Sequence, residues 1–203
     1  GESMAIVVEH DKRKHDILKK SLEVFIEEGY EDVTFQKIAD RCGITRTTLY
    51  IYFKNKREIF LWSIKQLTQG IELELLSLIE NQSLSSEECL RTMLNKIVDA
   101  CESNKALFEV LLTYLLSLKK TGGDPGKRVR RRLVRLQHLI STVIIRGMKS
   151  GEFKKINVKT AYEMLYGLIQ SAIFRLSVLD EKTIEDIRNT LSMAVDILVV
   201  KKN

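Results

Sequence analysis

Apolar residues recur at steps of three and four along most of this chain, the spacing that lines one face of an α-helix. From about Asp11 to Glu28, Ile17, Leu18, Leu22 and Phe25 form such a stripe, and Gly29 stops it. Phe60, Ile64, Leu67, Ile71, Leu75 and Leu78 predict one continuous helix reaching about Gln82. Leu90, Leu94, Ile97 and Cys101 mark the next, and Leu107 to Leu118 is apolar nearly all round, as in a buried helix. Val129, Leu133, Leu136, Ile140, Val143 and Gly147 lie on a helix ending near Gly151. Leu165, Leu168, Ala172 and Leu176 belong to one opened by Asn157, and Ile187, Leu191, Ala194 and Leu198 to one opened by Thr183 with Asp186. No segment alternates as a half-buried strand does. The fold class is all-α.

The breaks between these stripes carry their own chemistry. Asn55 with Glu58, and Ser85 with Glu88, have the spacing of capping boxes, in which two side chains satisfy each other's orphan backbone N–H groups. Asn104 is expected to cap the helix after it. Thr121-Gly122-Gly123-Asp124-Pro125-Gly126 is the one clear breaker cluster and predicts a surface loop.

The segment from Thr34 to Phe60 is more specific than any of these. Thr34 can N-cap a short helix whose inward face is Phe35, Ile38 and Ala39, and Gly43 can take the positive φ that ends it. Ile44 plugs the corner. Thr45 caps a second short helix, which presents Arg46, Thr47 and Thr48 on its first turn and buries Leu49 and Phe53. Two helices joined by a short glycine-containing turn make a helix-turn-helix, whose second helix enters the DNA major groove.

Gly29-Tyr30, Thr34, Ile38-Ala39, Gly43-Ile44-Thr45, Leu49-Tyr50, Tyr52-Phe53 and Asn55-Lys56 together resemble the N-terminal domain of the tetracycline-repressor (TetR) family of bacterial regulators. The likeness covers roughly Asp11 to Phe60. It departs at Thr47, where family members often carry Gly, Pro or Ala, and at Arg57, where an acid is commoner. The resemblance implies a three-helix DNA-binding domain over residues 1–54 and a helical ligand-binding and dimerisation domain over 55–203, joined through the long helix. It also implies that Tyr50 and Tyr52 bond DNA phosphates through their phenols. Lys56, at a helix N-terminus, would add a phosphate contact of its own. Base reading then falls to Arg46, Thr47 and Thr48, with Gln36 reaching in from the preceding helix; Thr34 and Thr45 complete the DNA-binding set as caps. By the same resemblance the last two helices form a homodimer, and the central helices hold a small-molecule effector. Phe108, Tyr114, His138, Tyr166 and Gln170 mix aromatic surface with polar tips and are the candidate lining.

Charge refines this picture. The net charge is +6, and from Thr34 to Arg57 the cations Lys37, Arg41, Arg46, Lys54, Lys56 and Arg57 face only Asp40. Glu23, Glu27, Glu28, Glu31 and Asp32 on the preceding helix offset it, so the positive charge is expected on the reading motif, as a phosphate-facing surface requires. A second basic run holds Lys127, Arg128, Arg130, Arg131, Arg132 and Arg135. It opposes the dipole of its own helix, and reads either as a solvated face or as one facing phosphates, an acidic ligand or acidic side chains.

The remaining composition narrows the function class. Cys42, Cys89 and Cys101 are odd in number without zinc-like spacing, which suits unpaired thiols in a reducing cytoplasm, and no metal site is expected. No apolar run is long enough to span a membrane, and the N-terminus does not read as a secretion signal. Gly1-Glu2-Ser3 ahead of Met4 resembles an expression remnant. His10, His15 and His138 form no metal-ligand pattern, and Glu87-Glu88 reads as a helix start rather than an acid/base pair. His138 is expected half-buried beside Val134 and Ile145. The reading is therefore a dimeric, non-enzymatic transcriptional regulator without a cofactor, most often a repressor in this family, bound to a double-stranded pseudo-palindromic operator and released by a small ligand. The alternative is a DNA-bound structural or partner-controlled regulator with no such ligand.

Overall fold

The computed structural model describes residues 1–202. Among them nine helices follow one another: α1 (Glu2–Glu28), α2 (Phe35–Cys42), α3 (Arg46–Tyr52), α4 (Lys56–Glu80), α5 (Ser86–Ser103), α6 (Lys105–Lys120), α7 (Pro125–Lys149), α8 (Val158–Ser177) and α9 (Glu185–Leu198). They form two compact units, Gly1–Gly70 and the chain from Ile71 onward, with the division inside α4.

The first unit is built by α1, α2, α3 and the beginning of α4. Its core is Ile17, Leu18, Val24, Phe25, Val33, Ile38, Ala39, Leu49, Phe53, Ile59 and Phe60. The rings of Phe25, Tyr30 and Phe60 pack mutually at 4.9–5.8 Å. Ser63 sits buried in this interior and donates to the Leu18 and Ile59 carbonyls, so its hydroxyl is satisfied while it joins α4 to α1. Helix α1 starts at Glu2 rather than near Asp11. No glycine or proline stands between Glu2 and Gly29 to stop it, and Met4, Ile6, Val7 and Val8 are left exposed on its first turns.

In the second unit α5 lies at the centre and packs on α6, α7, α8 and α9. The core draws Leu90, Met93, Leu94 and Val98 from α5, Ile140, Val143 and Ile144 from α7, and Leu165, Ile169 and Ala172 from α8. Charged clamps hold α9 to α5: Arg188 donates to Asp99 and Glu102 at 2.7 and 2.8 Å, and Arg91 reaches Asp196 and Ser192. The expected stripe of Ile187, Leu191, Ala194 and Leu198 faces this core and is buried within the unit.

The predicted caps hold at Ser85–Glu88, a reciprocal capping box, at Asn157, and at Asn55, whose Oδ1 accepts the Glu58 N–H at 2.8 Å. Two differ. Asn104 turns its amide back to the Ala100 carbonyl and leaves α6 without a side-chain cap. Ile184 precedes α9 in place of Thr183, because burying its side chain in the core fixes where the helix begins. Helix α7 starts at Pro125, capped by Asp124, so the breaker loop ends sooner than its sequence suggests.

The turn after α7 is a junction of long-range contacts. Phe153 is buried against Gly147, where an added Cβ would lie 2.1 Å from its ring. It also bridges to Val199, and Lys154 N–H donates to the Leu198 carbonyl while Val200 N–H donates to that of Glu152. The Glu152 carboxylate accepts from the Ser86 and Glu87 N–H groups, both at 3.3 Å, and from the Ser150 hydroxyl at 2.8 Å. It thus supplies the anion that the N-terminus of α5 attracts.

Candidate nucleic-acid interface

The α2–turn–α3 pair is fixed residue by residue. The Thr34 hydroxyl accepts the Lys37 N–H at 3.2 Å and starts α2. Gly43 ends it at φ 67°, ψ 31°, a left-handed conformation, and the Ile44 N–H returns to the Ala39 carbonyl at 3.0 Å. The Thr45 hydroxyl accepts the Thr48 N–H at 3.1 Å, which starts α3 two residues after the turn. Leu49 and Phe53 are buried, and the opposite face of α3, comprising Arg46, Thr47, Tyr50 and Ile51, is exposed.

On that face Tyr50 stacks on Phe35 at 4.3 Å, and Arg46 donates to the Tyr50 hydroxyl at 3.4 Å. Gln36 is held along α2 by a 2.8 Å hydrogen bond to Asp40. Tyr52 is half-buried and stacks on His10, 4.7 Å away on the extended part of α1. Thr48 is half-buried, and Thr34 and Thr45 use their hydroxyls as caps. Lys56 donates to the carbonyls of Tyr30 and Glu31 at 2.8 and 3.1 Å and lies over the Tyr30 ring. Its ammonium thus fastens the α1–α2 turn to the start of α4.

The charge on the motif is distributed differently from its sequence count. Lys37 pairs with Glu28 at 3.0 Å, and Arg41 pairs with Glu27 at 2.6 Å and, more distantly, with Glu23. The Arg41 hydrogen bonds hold the exposed Glu27 carboxyl below its ordinary range. These two cations are therefore engaged by the acidic face of α1. Arg46, Lys54 and Arg57 have no ion pair among the described residues and are exposed.

Two residues on this surface were not singled out from the sequence. Ile51 is exposed on α3, which a helical projection from buried Leu49 shows, and its apolar side chain shares the face of Thr47. His10 belongs to the part of α1 whose helical character carries no periodic signal.

In the second unit Tyr166 and Gln170 of α8 share a side-chain hydrogen bond, and the other three candidates lie on α6 and α7. Tyr114 is buried on α6. Phe108 and Tyr166 are half-buried against the core, and Tyr166 stacks on Tyr162 at 5.6 Å. Gln170 is exposed one turn from Tyr166 on α8, and His138 is exposed on α7 instead of half-buried, since Leu139 and Ile140 beside it turn the core face away. A cleft of about 350 Å³ lies elsewhere, among Ile79, Asn81, Ser85, Cys89, Val143 and Arg146. Gly167, Gln170 and Phe174 leave an exposed face on α8, continued by Val178 just past its end, and Met193 and Ile197 leave one on α9. No helix among the described residues is long and apolar enough to cross a membrane, and no group of metal-ligating side chains occurs among them.

A capped helix-turn-helix with a polar, arginine-bearing outer face, carried on an all-helical chain, defines the class of DNA-binding transcriptional regulators. Residues 17–61 match the model of the bacterial regulatory proteins of the tetR family, so the helix-turn-helix segment of the chain is of that family's type. It is similar to the fatty acid metabolism regulator protein of Bacillus subtilis, 24% identical over 167 residues that cover 82% of this chain and 84% of the relative. Its fold resembles a TetR transcription regulator from Haloarcula marismortui, with a TM-score of 0.82 at 21% identity, covering 94% of this chain and all of that one. It also resembles FadR from Bacillus subtilis in complex with stearoyl-CoA, with a TM-score of 0.72 at 23% identity, covering 90% and 96% of the two chains. These relatives are regulators of transcription, not enzymes.

Proposed function

We propose that this protein is a repressor that binds a pseudo-palindromic operator as a homodimer and leaves it on binding a small ligand. The observation that carries the DNA part is the outer face of α3, where Arg46 and Thr47 stand exposed beside Tyr50 on a helix whose start is fixed by the Thr45 cap. Arg46 can pair bidentately with guanine, while Thr47 and the exposed Ile51 offer methyl groups to thymine. Tyr50, Tyr52, Lys54 and Arg57 supply phosphate contacts that fix register without carrying sequence. Lys56 supports the same surface chiefly by holding the α1–α2 turn.

One recognition helix makes too few base contacts for tight and selective binding, so two copies are needed. The exposed faces of α8 and α9, centred on Phe174, Met193 and Ile197, are the surface that pairs them. Large apolar side chains exposed on adjacent helices favour an interface, and Gly167 on the same face of α8 has open space where a partner backbone could approach.

The effector is a long-chain acyl thioester of a nucleotide, the class of ligand bound by the FadR relative. It acts as a population shift: the ligand favours a dimer whose two recognition helices no longer match the half-site spacing. The test is to select operator fragments with the purified protein, then titrate stearoyl-CoA, coenzyme A and stearate into the complex. Release by stearoyl-CoA at concentrations where stearate and coenzyme A are inert supports the reading. An operator complex indifferent to all three rejects the ligand class.

A further inference from the structure

The basic run of α7 is arranged more narrowly than its sequence requires. With about 100° of turn per residue, Lys127, Arg128, Arg131, Arg132 and Arg135 fall within one arc of roughly 140°, and the stripe is about 12 Å long. The core-facing Val143, Leu136 and Ile140 adjoin one edge of this arc, where Arg128 and Arg132 are half-buried, while Lys127, Arg131 and Arg135 are exposed. Arg130 falls outside the arc and folds over Gly126. Lys119 and Lys120, exposed in the last turn of α6, add two more cations just before the turn into α7.

Little negative charge answers this stripe. Asp124 is engaged in capping the Lys127 N–H at 2.9 Å. Glu72 of α4 stands 4.0 Å from Arg135, and burial raises its carboxyl above the ordinary range, against the pull of Arg135 and Arg132. Lys127, Arg128, Arg131 and Arg132 have no ion pair among the described residues. Lys127 and Arg128, in the first turn of α7, also oppose the positive end of their own helix dipole. Here five of the six charged residues from Lys127 to Arg135 are arginine, whose planar fork matches phosphate oxygens two at a time. Val134, exposed at 63% among them, leaves an apolar spot within the charged patch. Twelve ångströms suits a compact cluster of two or three phosphates rather than a long track along a duplex.

We infer that this stripe holds the phosphate end of the effector, with Arg128, Arg131 and Arg135 as its principal ligands. The inference rests on the small-ligand reading above and adds the site at which the nucleotide is recognised.

Calorimetric titration tests it with stearoyl-CoA, coenzyme A, stearate and inorganic tripolyphosphate. The wild type is compared with Arg128→Gln/Arg131→Gln and with Arg130→Gln, which removes one charge beside the stripe, and circular dichroism checks that each is folded. Operator release by stearoyl-CoA is measured against each variant's own ligand-free complex. The double variant is expected to lose about tenfold or more in affinity for stearoyl-CoA and tripolyphosphate per guanidinium removed, and Arg130→Gln to change it about twofold at most. If stearoyl-CoA binds and releases the double variant as it does the wild type, the stripe is not the site, although the ligand class survives. If tripolyphosphate binds the wild type but not the double variant while stearoyl-CoA leaves the operator complex intact, the stripe stands and the ligand class falls. Capture of the wild type by phosphatidylglycerol vesicles, with no binding of any soluble phosphate, would make the stripe a membrane contact and overturn the inference.

Discussion

Arg46 and Lys56 stand ten residues apart on the same motif, yet their surroundings give them different work. Arg46 is exposed and donates to the Tyr50 hydroxyl, so Arg46→Ala should leave stability unchanged and relax base preference at one position in each half-site, at a cost of about 1–3 kcal/mol. Lys56→Ala removes two hydrogen bonds to backbone carbonyls and a cation over the Tyr30 ring. It should therefore lower unfolding free energy by about 1 kcal/mol and weaken all operators alike. Urea unfolding and binding to a panel of single-base operator variants separate the two. A Lys56→Ala protein of unchanged stability would remove the structural role. Gly147→Ala is a sharper packing test, because the new methyl would meet the Phe153 ring and force a shift costing about 1–3 kcal/mol. An unchanged denaturation midpoint would show that the ring moves aside freely.

At the scale of single elements, caps and stripes were legible because they depend on residues three and four apart. Thr34, Thr45, Ser85 and Asn157 act as their spacing suggests. What was not legible depends on distant partners. Lys37 and Arg41 looked like phosphate contacts until α1 brought Glu28 and Glu27 beside them, and Lys56 looked free until the Tyr30 and Glu31 carbonyls closed on it. The Glu152 cap on α5 joins residues 65 and 66 apart, beyond any local pattern. Burial works against its charge, but the hydrogen bonds from Ser150, Glu87 and Ser86 outweigh it and hold the carboxyl below its ordinary range. A lowered folded-state pKa means that the cap contributes fully above the ordinary carboxylate range and is lost as pH falls through the folded value. The second unit should thus lose stability with acid more steeply than Glu152→Gln does, the variant being about 1 kcal/mol less stable at neutral pH. Parallel acid titrations of the two proteins would contradict the cap.

For the whole molecule, the sequence marked α9 as amphipathic but could not say which neighbour its apolar stripe meets. Ile187, Leu191, Ala194 and Leu198 pack inside their own unit, and the outward residues are Met193 and Ile197, with Phe174 on α8. Charge placed on the two faces should therefore act differently. Leu191→Glu buries an unpaired carboxylate and should unfold the unit, whereas Met193→Glu should leave a folded chain that sediments as a monomer. A Met193→Glu protein that remains dimeric at micromolar concentration would move the pairing surface elsewhere. The measurement that tests the central claim most directly is sequencing of DNA fragments selected by the purified wild type, with the stoichiometry of the complex read by analytical ultracentrifugation. The expected result is an inverted repeat whose half-sites are about 34–36 Å apart, bound by two chains. Selected fragments with no shared sequence, or one unrepeated site bound by a single chain, would contradict it.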